Sequence, residues 1–396
     1  MHPAEDLKCS KSDKLKGRRI VLGVTGSIAA VESVRLCTEL IRHGAEIHVV
    51  MSASAQKIIH PYSLEFASGR PVITEIDGRV QHVALCGSVP DRADLLLIAP
   101  ATANTISKIA CGIDDTSVTT FATTALGTGI PTIVVPAMHG TMIRHRMVVD
   151  NIDRLKEAGV IILETRPEEG KAKMLSPEDI VAAAISAIGR RDMCGRRVLV
   201  IAGATEEPLD DIRIMTNRSS GETGIELAIA AHERGAEVEL WAGRTDVDIP
   251  RYLRTRRFST TKDLEEMVDG MDNADIVLFP AAVSDYTADP VEGKMPSSEA
   301  SITLTLKRTP KIIDKVEGRT IIGFKAQARV TDSKLTEEAL ALIERAECAF
   351  AVANRIEDVS QGSTRVLIVE ANGVTEEAQG TKAAVANRIL DRALKG

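Results

Sequence analysis

Residues 19–30 read R-I-V-L-G-V-T-G-S-I-A-A, an apolar run that turns through Gly26 into a helical pattern. Arg19–Val24 has the length and β-branched content of a buried strand. Glycine at 26 permits a tight turn and close backbone approach where a helix opens, and such a helix N-terminus can receive a phosphate. The stretch is not G-x-G-x-x-G, so a dinucleotide site is poorly supported, and a plain strand-to-helix turn reads it equally well.

The pattern recurs, and the recurrence decides the fold. Further strands are predicted at Glu46–Met51, Asp94–Ala99, Pro131–Pro136 and Val160–Leu163. A second series follows at Arg197–Ala202, Glu237–Ala242, Asp275–Pro280, Thr303–Leu306, Thr320–Phe324 and Arg365–Glu370. Helical patterns intervene at Ala29–Arg42, Pro177–Arg190, Thr223–Arg234, Ser333–Ala346 and Lys382–Leu394. Strand–helix alternation predicts an α/β chain: two Rossmann-like, doubly wound parallel-sheet domains in tandem. A weak echo agrees: R-H-G-A-E-I-H-V-V (42–50) and E-R-G-A-E-V-E-L-W (233–241) each place Gly between a helix and a strand. The polar stretch 189–197 is the predicted linker. It separates residues 18–190 from 191–396 and leaves 1–17 as an N-terminal extension.

At 396 residues the chain has room for two to three domains. Apolar residues are 44% and charged residues 27%, ordinary for a soluble globular protein, and the net charge is −7. That balance argues against nucleic-acid binding by bulk charge, and with aromatics at 3% few rings exist for stacking bases. The six cysteines form no C-x-x-C, so zinc-ribbon and redox-motif readings fail. No signal peptide is expected at the start. Residues 116–143 lack charge but carry glycines, prolines and threonines, which reads as a strand with flanking loops rather than a membrane span. A cytoplasmic, reducing setting with no membrane partner is expected.

Ser52 and Ser54 follow the second strand; Thr102, Asn104 and Thr105 follow the third. These positions line the carboxyl ends of successive strands, where open α/β sheets bind ligands. Helix capping is the competing reading, above all for Thr102. The segments I-A-P-A-T-A-N-T (98–105) and P-A-M-H (136–139), with the isolated His82, resemble the homo-oligomeric flavin-containing Cys decarboxylases. The resemblance implies FMN held by Gly26, Ser27, Ser52, Thr102 and Asn104, with Met138 near the isoalloxazine. It implies His82 acting on the substrate, at a site built across a trimer interface. Two departures stand out. His139 replaces the family's usual Asn, and can itself donate to a substrate carboxylate. The family's Gly-rich flap carries a Cys, whereas residues 164–175 are short and have none. The resemblance implies oxidation at the thiol, decarboxylation to an enethiolate, and hydride return while an acid protonates carbon. Lys171, Lys173 and Cys86 are the candidate acids. A solvated loop is the competing reading of the lysines, and a small buried hydrophobe the favoured one of Cys86.

A-G-A-T-E-E-P-L-D-D-I-R-I-M-T-N-R-S-S-G-E-T-G (202–224) is the strongest signature in the chain. Ser219, Ser220 and Gly221 open a helix suited to cradling phosphates. P-A-A-V-S-D-Y (280–286) ends a strand, and Lys294 follows nine residues after Asp285; then come K-R-T-P-K-I-I (307–313), G-F-K-A-Q (323–327) and V-A-N (352–354). This order resembles phosphopantothenate–cysteine ligase. The whole chain resembles the bifunctional decarboxylase/ligase family of coenzyme A biosynthesis. The resemblance implies two reactions in series. CTP with Mg2+ activates 4′-phosphopantothenate as an acyl-cytidylate, and cysteine then attacks it. The product is decarboxylated in the first half. Asn217 would hold the acyl carbonyl, Lys294 would stabilise charge on the α-phosphate, and Arg213 would orient the substrate anion. Asp285, Ala281 and Ala282 would read the nucleotide, and Phe324 would pack near its base or ribose; Arg345 would reach the triphosphate, with a surface helix residue as the favoured reading of it. Metal ligands are not assigned. The homo-oligomer implied has trimeric flavin halves and dimeric ligase halves, up to a dodecamer. Two other readings remain at this point: an active ligase whose flavin half is redirected or a scaffold, and a non-catalytic regulatory flavoprotein.

Overall fold

A computed structural model describes residues 2–163, 167–168, 171–172, 174–295, 301–360 and 363–395. The chain divides into two compact units, Met1–Gly189 and Arg190–Gly396.

In the first unit five parallel strands, β1 (Arg19–Val24), β2 (Glu46–Met51), β3 (Leu95–Ala101), β4 (Thr132–Pro136) and β5 (Ile161–Ile162), lie in the order β2-β1-β3-β4-β5. Alternate residues feed opposite faces. Leu22, Leu97 and Ile133 enter one core, and Val21, Leu96 and Val134 the other. Burial on both faces explains why these strands read as unbroken apolar runs. The strand order reverses between β1 and β3, which opens a crevice at their carboxyl ends. Residues 2–17 are not set apart from this unit. Leu15 is fully buried, and Lys11 pairs with the buried Glu39 on the Ser33–Arg42 helix.

The uncharged 116–143 stretch is not a strand with loops alone. It contains the helix Ser117–Gly127, opened by a Thr116/Thr119 capping box. Threonine read as a loop signal, but here Thr120, Thr124 and Thr128 each donate their hydroxyl to the carbonyl four residues back. Val118, Phe121, Ala122 and Ala125 bury the helix against the sheet. Truncating Phe121 to Ala would cost about 3–5 kcal/mol.

The second unit is built on β6 (Arg197–Ala202), β7 (Glu237–Ala242), β8 (Arg254–Arg257), β9 (Ile276–Phe279), β10 (Thr320–Gln327), β11 (Phe350–Arg355), β12 (Ser363–Glu370) and β13 (Thr375–Gly380). Strands β8-β7-β6-β9-β10-β11 are parallel neighbours; β12 then pairs antiparallel with β11 and with β13. The sheet is therefore parallel with an antiparallel edge, not parallel throughout. The predicted strand Thr303–Leu306 does not join it. Only Leu306–Arg308 is extended, as an antiparallel partner of Tyr286–Ala288. Its alternating leucines have no face to cover: Leu304 and Leu306 are exposed.

The two units repeat one construction, more fully than the sequence echo suggests. L-K-G-R-R (15–19) leads into β1 and M-C-G-R-R (193–197) into β6, with φ +76° at both Gly17 and Gly195. Asp94 accepts the Arg19 N–H at 2.8 Å, and Asp275 accepts the Arg197 N–H at 2.8 Å. Gly44 and Gly235 both take left-handed φ. Beyond them Ala45 N–H reaches the Leu40 carbonyl (3.2 Å) and Ala236 N–H the Ala231 carbonyl (3.1 Å). The stretch 189–197 is thus no free linker: Met193 is fully buried and Asp192 binds the Arg234 guanidinium.

Candidate active sites

In the first unit, the loops after β1, β2 and β3 lock onto one another. Thr25 donates its hydroxyl to the Pro100 carbonyl (2.7 Å) and accepts the Thr102 N–H (3.0 Å). Ser52 N–H donates to the Val24 carbonyl at 3.1 Å. Any Cβ at Gly26 would sit 2.5 Å from the Ser54 Cβ, so only glycine permits this approach. Ser27 caps the 3-10 turn Ile28–Glu32, Ser52 accepts the Ala55 N–H (3.3 Å), and Thr102 caps the helix Ala103–Ala110. The capping reading of Thr102 therefore holds. A capping hydroxyl accepts an N–H and keeps its own O–H, so the Ser27 and Ser52 hydroxyls can still donate to an anion. Asn104 sits exposed at the second position of its helix.

His82 lies on Gln81–Cys86, edge-on to Phe121 with ring centroids 6.4 Å apart. Its Nδ1 is buried with no hydrogen-bond partner among the described residues. An unmet buried polar atom costs roughly 1–3 kcal/mol, the mark of a group awaiting something the chain does not supply. Met138 is half-buried against the core and His139 is exposed. His139 Nδ1 caps the next helix, accepting the Thr141 N–H at 3.3 Å, which leaves Nε2 for a substrate. The hairpin Pro167–Glu168/Lys171–Ala172 adds to this segment, pairing Met138 with Ala172 and His139 with Lys171. The side chain of Lys171 and the whole of Lys173 lie outside the described residues. Cys86 is fully buried, and burial pushes its thiol up to about 12, which fits a packing role.

In the second unit the loops after β6 and β9 are stitched together. Ala282 N–H donates to the Gly203 carbonyl (2.8 Å), and Thr205 N–H to the Ala282 carbonyl (3.3 Å). Thr205 Oγ1 accepts the Ser284 N–H at 2.9 Å. Asn217 Nδ2 donates to that same Ala282 carbonyl at 3.1 Å, which fixes its amide on the loop after β9. Gly221 (φ +72°) begins the helix Glu222–Glu233, and a Cβ there would meet Thr245 Cγ2 at 2.6 Å. Ser219 and Ser220 accept the N–H groups of Gly221 and Glu222 at 3.3 and 3.4 Å. Ala281 is packed against the core, and Asp285 is ion-paired with Lys311. Phe324 follows Gly323, the register partner of Phe279, so it reaches the carboxyl rim.

The geometry adds a partner to Arg213 and places Arg345 at the far rim. Arg213 is bound to the buried Asp210 (2.7 Å) and to the Met295 carbonyl (3.3 Å), so it braces the Lys294 loop. Arg345 ion-pairs with Asp314 in the last turn of Asp332–Ala346. That helix runs back from the end of β10 to the start of β11, so its last turn lies at the opposite rim from Asn217 and does not reach a triphosphate there. Lys294 is exposed, one residue before the buried Met295. Sequence reasoning did not single out Thr205, Ser284, Asp210 or Lys311. For Asp210 a signal existed: D-D-I-R (210–213) is an aspartate placed to accept the two N–H groups that follow it. Among the described residues no group of three or more His, Cys, Asp or Glu forms a metal cage, and no helix is long and apolar enough to cross a membrane.

Residues 8–189 match the family model described as Flavoprotein, and residues 193–395 match DNA/pantothenate metabolism flavoprotein C-terminal domain. The chain is 44% identical over 401 residues to the coenzyme A biosynthesis bifunctional protein CoaBC of Thermococcus kodakarensis, covering 99% of this chain and 98% of that protein. Against the protein of the same name from Methanocaldococcus jannaschii it is 36% identical over 403 residues, covering 100% and 98%.

Proposed function

The chain belongs to the bifunctional CoaBC family of coenzyme A biosynthesis, with a flavoprotein decarboxylase half and a ligase half, and we propose how its residues divide the two reactions. In the ligase unit, the carboxylate of 4′-phosphopantothenate attacks the α-phosphate of CTP and releases pyrophosphate. The amine of cysteine then attacks the acyl carbonyl, forming the amide and releasing CMP. Asn217 spends one Nδ2 hydrogen on Ala282 and turns the other toward the acyl carbonyl. Lys294 neutralises charge developing on the α-phosphate. The Ser219 and Ser220 hydroxyls, left free as donors, face the phosphates. Asp285 and the 281–282 backbone read the nucleotide. Mg2+ arrives on the triphosphate, since such ions are commonly held by one or two carboxylates plus substrate phosphates.

In the first unit, the free hydroxyls of Ser27 and Ser52, the exposed Asn104 and the helix N-terminus behind Thr102 suit the phosphate and ribityl chain of FMN. Bound there, FMN supplies reversible two-electron oxidation of the cysteinyl carbon beside sulfur. His82 meets the substrate through Nδ1, His139 Nε2 holds its carboxylate, and Lys171 or Lys173 delivers the final proton to carbon. A cytoplasmic homo-oligomer completes the reading. Exposed Ile28 and Val31 beside the flavin-side loops, and exposed Ile212, Tyr286 and Leu306 in the ligase unit, support it.

The observation that carries this reading is the Asn217–Ala282 hydrogen bond, which joins the phosphate-cradle loop to the nucleotide loop. Assays of pyrophosphate release with CTP and with ATP test it. Faster turnover with CTP supports the assignment, and equal rates would remove base selectivity from it.

A further inference from the structure

Beside the described ligase site lies a buried carboxylate that the reaction does not use. Asp210 is almost wholly buried, and its two oxygens take four hydrogen bonds. Oδ1 accepts the N–H groups of Ile212 (2.8 Å) and Arg213 (2.6 Å). Oδ2 accepts Arg213 Nη1 (2.7 Å) and the N–H of Met295 (3.0 Å). Arg213 Nη1 reaches the Met295 carbonyl as well. Around this knot the backbones of 209–213 and 291–295 zip together, through Val291 N–H to the Leu209 carbonyl (3.0 Å) and Asp211 N–H to the Gly293 carbonyl (3.1 Å).

The placement matters for two side chains in particular. Arg213 immediately precedes the strand Ile214–Thr216 and Asn217 immediately follows it, and Lys294 immediately precedes Met295. We propose that Asp210 is a positioning residue for ligation, holding the Lys294 loop in register with Asn217 so that both address one acyl phosphate. This rests on the reading of Asn217 and Lys294 as the groups that meet that phosphate. The amide of Asp210→Asn would present an N–H where Met295 N–H or Arg213 now donates, and the junction would open at the point nearest Lys294. Arg213 acts through the same knot: its charge neutralises Asp210 while its second contact pins the Met295 carbonyl.

The test is a double-mutant cycle in the full-length protein with Asp210→Asn and Lys294→Gln. Asp210→Asn should slow pyrophosphate release about tenfold or more in kcat, with KM for cysteine and carbon dioxide release from supplied phosphopantothenoylcysteine unchanged. In the Lys294→Gln background the same change should add less than about twofold, because the loop no longer carries the charge it positions. Full additivity, with Lys294→Gln itself slow, overturns the positioning role and leaves the site reading intact. Near-normal ligation by Lys294→Gln overturns the site reading, and the coupling with it. A loss spread evenly over all steps with a lowered Tm makes Asp210 structural only. Should Asp210→Asn fail to fold, Arg213→Lys takes its place in the cycle. It keeps the charge but cannot span Asp210 and the Met295 carbonyl together, and the same non-additivity is expected.

Discussion

Asn217 in the second unit is held by the Ala282 carbonyl, which also takes the Thr205 N–H, and the neighbouring loop is knotted through Asp210. His82 in the first unit keeps a buried Nδ1 without a partner among the described residues, and His139 stands exposed beyond its cap. Both sites sit on the same scaffold, down to Asp94 and Asp275, each of which accepts the first N–H of its unit's first strand. The difference lies in the loops. The ligase unit positions its polar groups with its own backbone. The flavin-side unit locks its loops together and leaves the His82 Nδ1 unsatisfied, as suits a site that a cofactor and a substrate complete.

The sharpest break in the comparison is to damage one site and read both. Lys294→Gln and Asn217→Asp should each slow ligation by about 100-fold or more, the usual loss for one electrostatic contact in a transition state. Each unit has its own core, so carbon dioxide release from supplied phosphopantothenoylcysteine should stay at the wild-type rate. A fall in both activities would mean that the units do not fold independently. The reverse experiment is His82→Asn, expected to keep its flavin absorbance while carbon dioxide release drops about 100- to 10,000-fold. A colourless variant would instead make His82 structural.

A smaller effect separates the two candidate lysines from solvated loop. Lys171→Gln with Lys173→Gln should still release carbon dioxide but accumulate a product lighter by one pair of hydrogens, read by mass spectrometry. If the saturated thiol persists, neither lysine delivers the proton. Cys86→Ser should leave the product unchanged, because burial holds that thiol at about 12 and packed against the core.

The smallest effect is on pH. Burial pushes the Asp210 carboxyl up, but the N–H groups of Met295, Ile212 and Arg213 and the Arg213 charge outweigh it, leaving it near 2 against an ordinary 3.8. A lowered folded value means the knot's contribution is complete above pH 3.8 and fades as pH falls toward 2. Protection of the Met295 amide, taken relative to its intrinsic exchange rate at each pH, should therefore fall only in that acid window; a fall near pH 6 would show that another group governs the loop.

Much of this was legible from periodicity. β1, β2, β6 and β7 have the predicted bounds because each is an apolar run ended by polar or Gly residues. The Ser117–Gly127 helix was hidden because its threonines satisfy their hydroxyls on its own carbonyls, a pattern that hydropathy does not register. β11 was hidden by its alanines: A-F-A-V-A (349–353) lacks the β-branched density of its neighbours. Among site residues, those in loops just past strand ends were readable, since topology puts ligands there. Arg345, half-exposed and paired with Asp314 in the last turn of its helix, is the surface residue that its charged helix favoured. The contact of Arg213 with Asp210 was not legible, because it forms only when the 291–295 loop folds over both.

The central claim is that one chain carries two separately built sites working in series. The direct test supplies the purified, flavin-loaded protein with 4′-phosphopantothenate, cysteine, CTP and Mg2+, and follows pyrophosphate and carbon dioxide together. The account predicts equal yields of pyrophosphate and carbon dioxide per cysteine consumed, with 4′-phosphopantetheine as the final thiol. Pyrophosphate release with phosphopantothenoylcysteine accumulating and no carbon dioxide would contradict it.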